Sequence, residues 1–369
     1  MRLLSGGLTF LFALEIEMPQ ERFGSIHKPA ANVARQIQTL TSHKVRFDGC
    51  SPSEAEIFLT ESTYFFKLKA FDNKFDKDSS GNYFNLDFSF LQDVSTIDYH
   101  IRQCVIQLTS DIEHCLKVRF NTLLMRQSTE DGYSIVQDFI QHETDFYRHQ
   151  LNKEFSLDLK SSAYTGAIID KYGTNPPAWL LWEVCSFNTT NAFYKFFIKK
   201  NSYADPIFSL LDGVRLLRNA ASHNNCLLTA PSYRLNKTDS LTTLLEQLIP
   251  CEAEEAEHDN VIGLAAHDPL IHDFSCVLCC HINLVKSQGI ITRTEELLNS
   301  LIKRIGRHYQ WYKDPQNHCK ELERQLNAIA SLSYAFKHFS REKSITRNLS
   351  LTKEPLVYKT RHRHRSRSK

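Results

Sequence analysis

Glycine is scarce in this chain, with 12 in 369 residues. A fold built on many tight strand turns needs more, because left-handed turn positions fall mainly to glycine. No apolar run approaches the roughly 18 residues that a membrane-spanning helix requires. There is no G-x-x-x-x-G-K-[ST] loop and no G-x-G-x-x-G turn before a helix, so nucleotide binding by those routes has no support. Ten cysteines occur, without the regular spacing of a disulfide framework. Cys104, Cys115 and Cys185 sit on apolar helix faces, as buried thiols in a reducing compartment do. Internal repeats are absent, and the net charge is only +2.

What is present is helical periodicity. Hydrophobic residues make up 42%, which argues against disorder. The length admits one large or two smaller domains. Val33, Ile37 and Leu40 form one apolar stripe. Ser53 is expected to cap the next helix, with Glu56 in capping-box position. That helix runs into Tyr64, Phe65, Phe66 and Phe71, interleaved with Lys67 and Lys69. Aromatics among lysines can stack bases, but they more often form a core edge with snorkelling lysines, the reading favoured here. Residues 72–90 read as a loop.

From Val94 to Leu124 apolar residues step by three or four throughout, predicting a core helix of about 45 Å. Glu113 sits beside that stripe, where a carboxylate usually pairs with a base. Asn175, Pro176 and Pro177 mark a helix stop and restart. Trp179 to Phe197 reads as a very apolar helical stretch with Glu183 embedded in it. An acid there is costly unless paired, so both Glu113 and Glu183 are expected to have basic partners, Glu183 being the more buried. Further helices are expected at Phe274–Val285, Leu297–Ile305 and about 320–339.

One helical pattern carries chemistry at its end. Ile207, Leu210, Leu211, Val214, Leu217 and Ala221 define a buried stripe. Asp212, Arg215, Asn219, Ser222 and His223 fall on the opposite face, and Arg218 borders the two. An arginine, an amide and a histidine at a helix end can bind a phosphate and move a proton. A solvated helix face that happens to contain a histidine fits the same six residues. Cys276, Cys279, Cys280 and His281 are compact enough to suggest a metal, but their apolar helical rhythm reads as core, and no second cysteine pair with zinc spacing follows. Glu252, Glu254, Glu255, Glu257 and Asp259 read as an exposed acidic loop.

The ends differ from the middle. Lys359 to Lys369 hold six basic residues and no acid, so the remainder of the chain carries −4. This tail has no apolar anchor and is expected to be disordered; tails of this kind bind nucleic acid or merely solubilise. Residues 3–16 are the one candidate targeting segment, yet they carry Glu15 and lack a small-residue cleavage site. A start at Met18 accounts for them equally well. A cytoplasmic protein is the expectation.

Several of these segments together resemble the Abi-like family of abortive-infection proteins, within the HEPN superfamily. They are Lys28-Pro29-Ala30 before a helix, the Tyr64–Phe71 segment, Ile112-Glu113, the run from Pro177 to Phe197 with its Pro-x-Trp, Glu and Ser-Phe pattern, and Arg218-Asn219 followed by His223. The weaker Phe274–Ile305 helices also fit. The departures are Ser222 where the family often has alanine, and Asn224 where it often has a second histidine.

The resemblance implies an all-α, HEPN-type helical bundle with additional helices. It would comprise an extension over 1–25, the Abi-like domain over 26–305, a helical extension over 306–345 and the basic tail over 346–369. It also implies metal-independent RNA cleavage by a toxin of phage defence. Arg218, Asn219 and His223 are then catalytic, supported by Glu113, Glu183 and Ser222. Lys67, Arg215, Arg361, Arg363 and Arg365 are the expected RNA contacts. No cofactor, metal or membrane is expected. The expected partners are RNA, a second copy of the chain and an antitoxin of unknown kind. The alternative is a non-catalytic RNA-binding or regulatory HEPN protein.

Overall fold

A computed structural model describes residues 30–127, 130–142, 151, 163–172, 175–230, 239–249 and 255–347. Among them the architecture is all-α; extended pairing there amounts to isolated bridges, Arg46 with Asp87 and Lys77 with Tyr83. Three short helices come first: α1 (Val33–Ser42), α2 (Pro52–Ile57) and α3 (Phe65–Lys69). The capping box of α2 is Ser51 with Glu54, two residues before the expected Ser53 and Glu56. Both pairs satisfy the S-x-x-E pattern, but only the first puts Pro52 at the first helical position, where its missing N–H costs nothing.

The organising element is α4 (Phe88–Met125), 38 residues and about 57 Å long. It begins six residues before the expected Val94, because the Asp87 side chain caps it by accepting from the Ser89 N–H. Its stripe from Ile97 through Ile101, Val105, Leu108, Ile112 and Leu116 to Phe120 is fully buried. Phe120 sits at the centre of an aromatic cluster, with ring centroids 4.5 Å from Trp182, 4.9 Å from Phe193 and 4.5 Å from Phe197. Each such ring contributes about 1.5–3 kcal/mol by leaving water.

Next come α5 (Ser134–His142) and α6 (Gly166–Tyr172), then α7 (Ala178–Val184) and α8 (Phe187–Lys200). The apolar stretch from Trp179 to Phe197 is therefore two helices. Ser186 breaks it, its hydroxyl accepting from the Thr189 N–H as a new N-cap. A turn leads to α9 (Leu211–Ser222). The remaining helices are α10 (Asp239–Leu248), α11 (Glu255–Leu264), α12 (Pro269–Leu284), α13 (Gln288–Gly306), α14 (Tyr309–Lys313) and α15 (Lys320–Arg347).

Helix α4 packs on α9, α12 and α13; α12 also lies against α9, and α15 closes the far side over α12 and α13. Where α9 crosses α12 the backbones come close. A Cβ on Gly213 would stand 2.9 Å from both the Asp273 carboxylate and the Cys276 sulfur. The C-terminal helices are tied back to α4: Asp93 accepts from Tyr312 at 2.5 Å and pairs with Arg304 at 2.6 Å.

Three expectations need correction or limits. Glu183 is exposed, because Ala178, Leu180, Leu181 and Trp182 take the inward positions of the short α7. The acidic segment is not all loop, since Glu255, Glu257 and Asp259 lie in α11, while Glu252 and Glu254 are outside the described residues. The N-terminal extension and the tail from residue 348 on, with Arg361, Arg363 and Arg365, are also outside them, while Thr346 and Arg347, expected in the tail, end α15. Among the described residues no helix is long and apolar enough to cross a membrane.

Candidate functional site

The end of α9 is closed by a Schellman motif. The Asn225 N–H donates to the Ala220 carbonyl at 2.9 Å and the Asn224 N–H to that of Ala221 at 3.1 Å. This requires a left-handed residue just past the cap. Asn224 takes it, with φ 57°, because asparagine tolerates that region better than most side chains. The departure from histidine at this position thus serves the helix end. His223 is the C-cap residue, its N–H bonded to the Asn219 carbonyl at 3.0 Å and its side chain in solvent. Asn219 lies one turn below it, half-buried, and Ser222 is exposed.

Arg218 leans the other way, onto α4. One of its Nη atoms is 3.1 Å from Glu113, whose other oxygen is 3.1 Å from Lys117. Its guanidinium also covers the Phe187 ring, 5.4 Å from the centroid. A cation between a carboxylate and an aromatic face is held in orientation while part of it stays in water. Glu113 thus has the basic partners expected of it. Arg215 belongs to the same polar face but lies near Asp273 on α12. Burial raises the Asp273 carboxyl's pKa against the opposing pull of His272, whose Nδ1 is 2.7 Å away, and of Arg215.

The loop after His223 is pinned from beneath. Asp98 and Arg102 form a buried ion pair on α4, one turn apart. The other Asp98 oxygen accepts from the Leu227 and Leu228 N–H groups at 2.7 and 3.0 Å. Arg102 reaches the Asn225 carbonyl at 3.4 Å, and Lys67 donates to the Asn224 carbonyl at 2.9 Å. Burial lowers the Lys67 pKa, and the Arg102 cation nearby adds to the effect. The structure therefore brings Arg218, Asn219, Ser222, His223, Glu113 and Lys67 to one end of α9, while Glu183 joins none of these contacts.

Phe187, Lys117, Asp98 and Arg102 were not singled out from the sequence. The signals available were the Ser-Phe pair at 186–187 and two opposite-charge pairs one helical turn apart, Asp98 with Arg102 and Glu113 with Lys117.

The cysteine and histidine cluster is core. Cys276, Cys279, Cys280 and His281 are all buried. Burial pushes the Cys276 and Cys280 thiols far up and that of Cys279 to about 12, so all three remain protonated and poor ligands. Among the described residues no group of three or more His, Cys, Asp or Glu side chains could hold a metal ion.

Residues 58–229 match the sequence model of the family described as Abi-like protein. This segment contains Lys67, Glu113, Phe187, Arg218 and His223, and over it the chain is similar to that family. No curated protein and no solved structure matches the chain.

Proposed function

We propose, from the similarity of residues 58–229 to Abi-like proteins, that this chain is an endoribonuclease of the HEPN type acting as a toxin in abortive infection. The observation that carries the reading is the pairing at the end of α9. An arginine is held in place by Glu113 and Phe187, and a solvent-facing histidine stands at the same helix terminus.

RNA supplies its own nucleophile, the 2′-hydroxyl. In the proposed reaction that oxygen loses its proton to a base and bonds to phosphorus. The bond from phosphorus to the 5′-oxygen breaks, and an acid returns a proton to the leaving oxygen. The products are a 2′,3′-cyclic phosphate and a 5′-hydroxyl. His223 serves as base or acid, since an ordinary imidazole titrates near the operating pH. Arg218 takes a non-bridging phosphate oxygen and offsets charge in the transition state. Asn219, one turn below His223, orients the imidazole or the phosphate. The chemistry calls for no metal ion, and a homodimer would bring two such motifs face to face.

Sequencing of RNA ends after induction in cells tests the reading. New 5′-hydroxyl ends in the parent and none in His223→Ala are the expected result. The second reading, an RNA-binding or regulatory protein without catalysis, rests on Glu113, which already neutralises part of the Arg218 charge. It predicts RNA binding with no new ends.

A further inference from the structure

The aromatic segment around α3 is only partly a core edge. Leu68 and Phe71 are buried, but Tyr64 is 60% exposed and Phe66 81%. A third exposed ring, Tyr99 at 49%, comes from α4. Exposed aromatic rings that adjoin one another offer a surface that a ligand or partner can cover.

Tyr64 and Tyr99 share a neighbour. The Arg102 guanidinium lies 6.0 Å from the Tyr99 ring centroid and within electrostatic reach of Tyr64. Lys67 follows Tyr64 by three residues, its N–H bonded to the Tyr64 carbonyl at 3.0 Å. Both cations hold the loop that leaves His223, Lys67 through the Asn224 carbonyl and Arg102 through that of Asn225. The patch is therefore continuous with the candidate catalytic end of α9.

Its charge suits a polyanion. Asp98 is matched to Arg102 and spends its other oxygen on the Leu227 and Leu228 N–H groups. Lys67 donates to a neutral carbonyl, which leaves its charge free to act on a ligand. Aromatic faces beside such a cation are the means by which proteins hold unpaired bases, whose π-faces a duplex keeps stacked inside.

We propose that Tyr64 and Tyr99, together with Lys67, form a stacking platform for unpaired bases of single-stranded RNA flanking the bond cleaved at His223. The platform rests on the ribonuclease reading and adds to it a preference for single strands over duplex.

The test is fluorescence anisotropy with a labelled, unstructured 12-nucleotide RNA and the same strand annealed to its complement. The full-length chain carries His223→Ala, so bound RNA survives. Tyr64→Ala and Tyr99→Ala are each expected to weaken single-strand binding roughly 5- to 150-fold. Duplex binding and the salt slope should stay unchanged. Tyr64→Phe and Tyr99→Phe should bind like the parent, since the ring and not the hydroxyl does the stacking. Lys67→Gln should flatten the salt slope by about 0.7, one phosphate contact on a single strand.

Parental affinity in both alanine variants overturns the platform; the ribonuclease reading survives if the otherwise native chain still cleaves RNA. A change of oligomeric state without a change of RNA affinity makes the patch a contact between copies and also overturns it. A chain that neither binds nor cleaves RNA removes both proposals.

Discussion

Arg218 of α9 and Glu113 of α4 meet at 3.1 Å where the two helices pack together. Glu113 also holds Lys117, so the carboxylate carries two cations and its geometry is over-determined. A single pair at this exposure stabilises the fold by at most about 1 kcal/mol. Its consequence lies in where it holds the guanidinium.

Glu113→Gln is expected to leave thermal stability within about 1 kcal/mol of the parent while lowering RNA cleavage roughly 10- to 100-fold, the scale of a misplaced binding group. Steady-state cleavage alongside a melting curve separates the two. An unchanged rate would mean that Phe187 alone orients Arg218.

Removing the carboxylate beneath the loop has the opposite signature. Asp98→Ala leaves Arg102 buried without its partner and strips the Leu227 and Leu228 N–H groups of their acceptor. The expected cost is about 3–5 kcal/mol, read by denaturant unfolding. A variant as stable as the parent would show that water takes over these bonds.

Glu183→Ala should change stability by less than about 0.5 kcal/mol, because the side chain is exposed. Glu183 also shows where sequence reading fell short. An acid within a hydrophobic run looks buried when the run is read as one helix. The run is two helices, the second capped by Ser186, and in the seven-residue first one Ala178, Leu180, Leu181 and Trp182 take the inward positions and leave the acid outside.

Other parts were legible for physical reasons. The stripe from Ile97 to Phe120 repeats over many turns, so periodicity alone identifies the core face of α4. The polar face of α9 and the basic partner of Glu113 followed from spacing and from the cost of an unpaired acid. Phe187 over Arg218, and Lys67 on the Asn224 carbonyl, join residues 31 and 157 positions apart. No local pattern encodes such contacts.

Acid stability has a defined contributor in Asp87, the cap of α4. Burial alone would raise its carboxyl's pKa, but hydrogen bonds from the Ser89 hydroxyl and N–H and from the Asp48 and Gly49 N–H groups outweigh that and hold it below the usual range. The folded pKa is thus lower than the unfolded one, near 3.9. The contribution is fully present above about pH 4 and is lost as the pH falls through the folded value. Asp87→Ala should cost about 0.5–2 kcal/mol at pH 7. Its deficit against the parent should shrink below about pH 4 in paired denaturation curves, and a deficit constant with pH would rule Asp87 out as the titrating group.

The most direct test of the account is cleavage of a defined RNA, in the presence of EDTA, by the parent and by His223→Ala of confirmed fold. The account predicts cleavage by the parent, with 2′,3′-cyclic phosphate and 5′-hydroxyl ends, and a loss of about 10²–10⁴ in rate in the variant. Equal rates in the two proteins would contradict it.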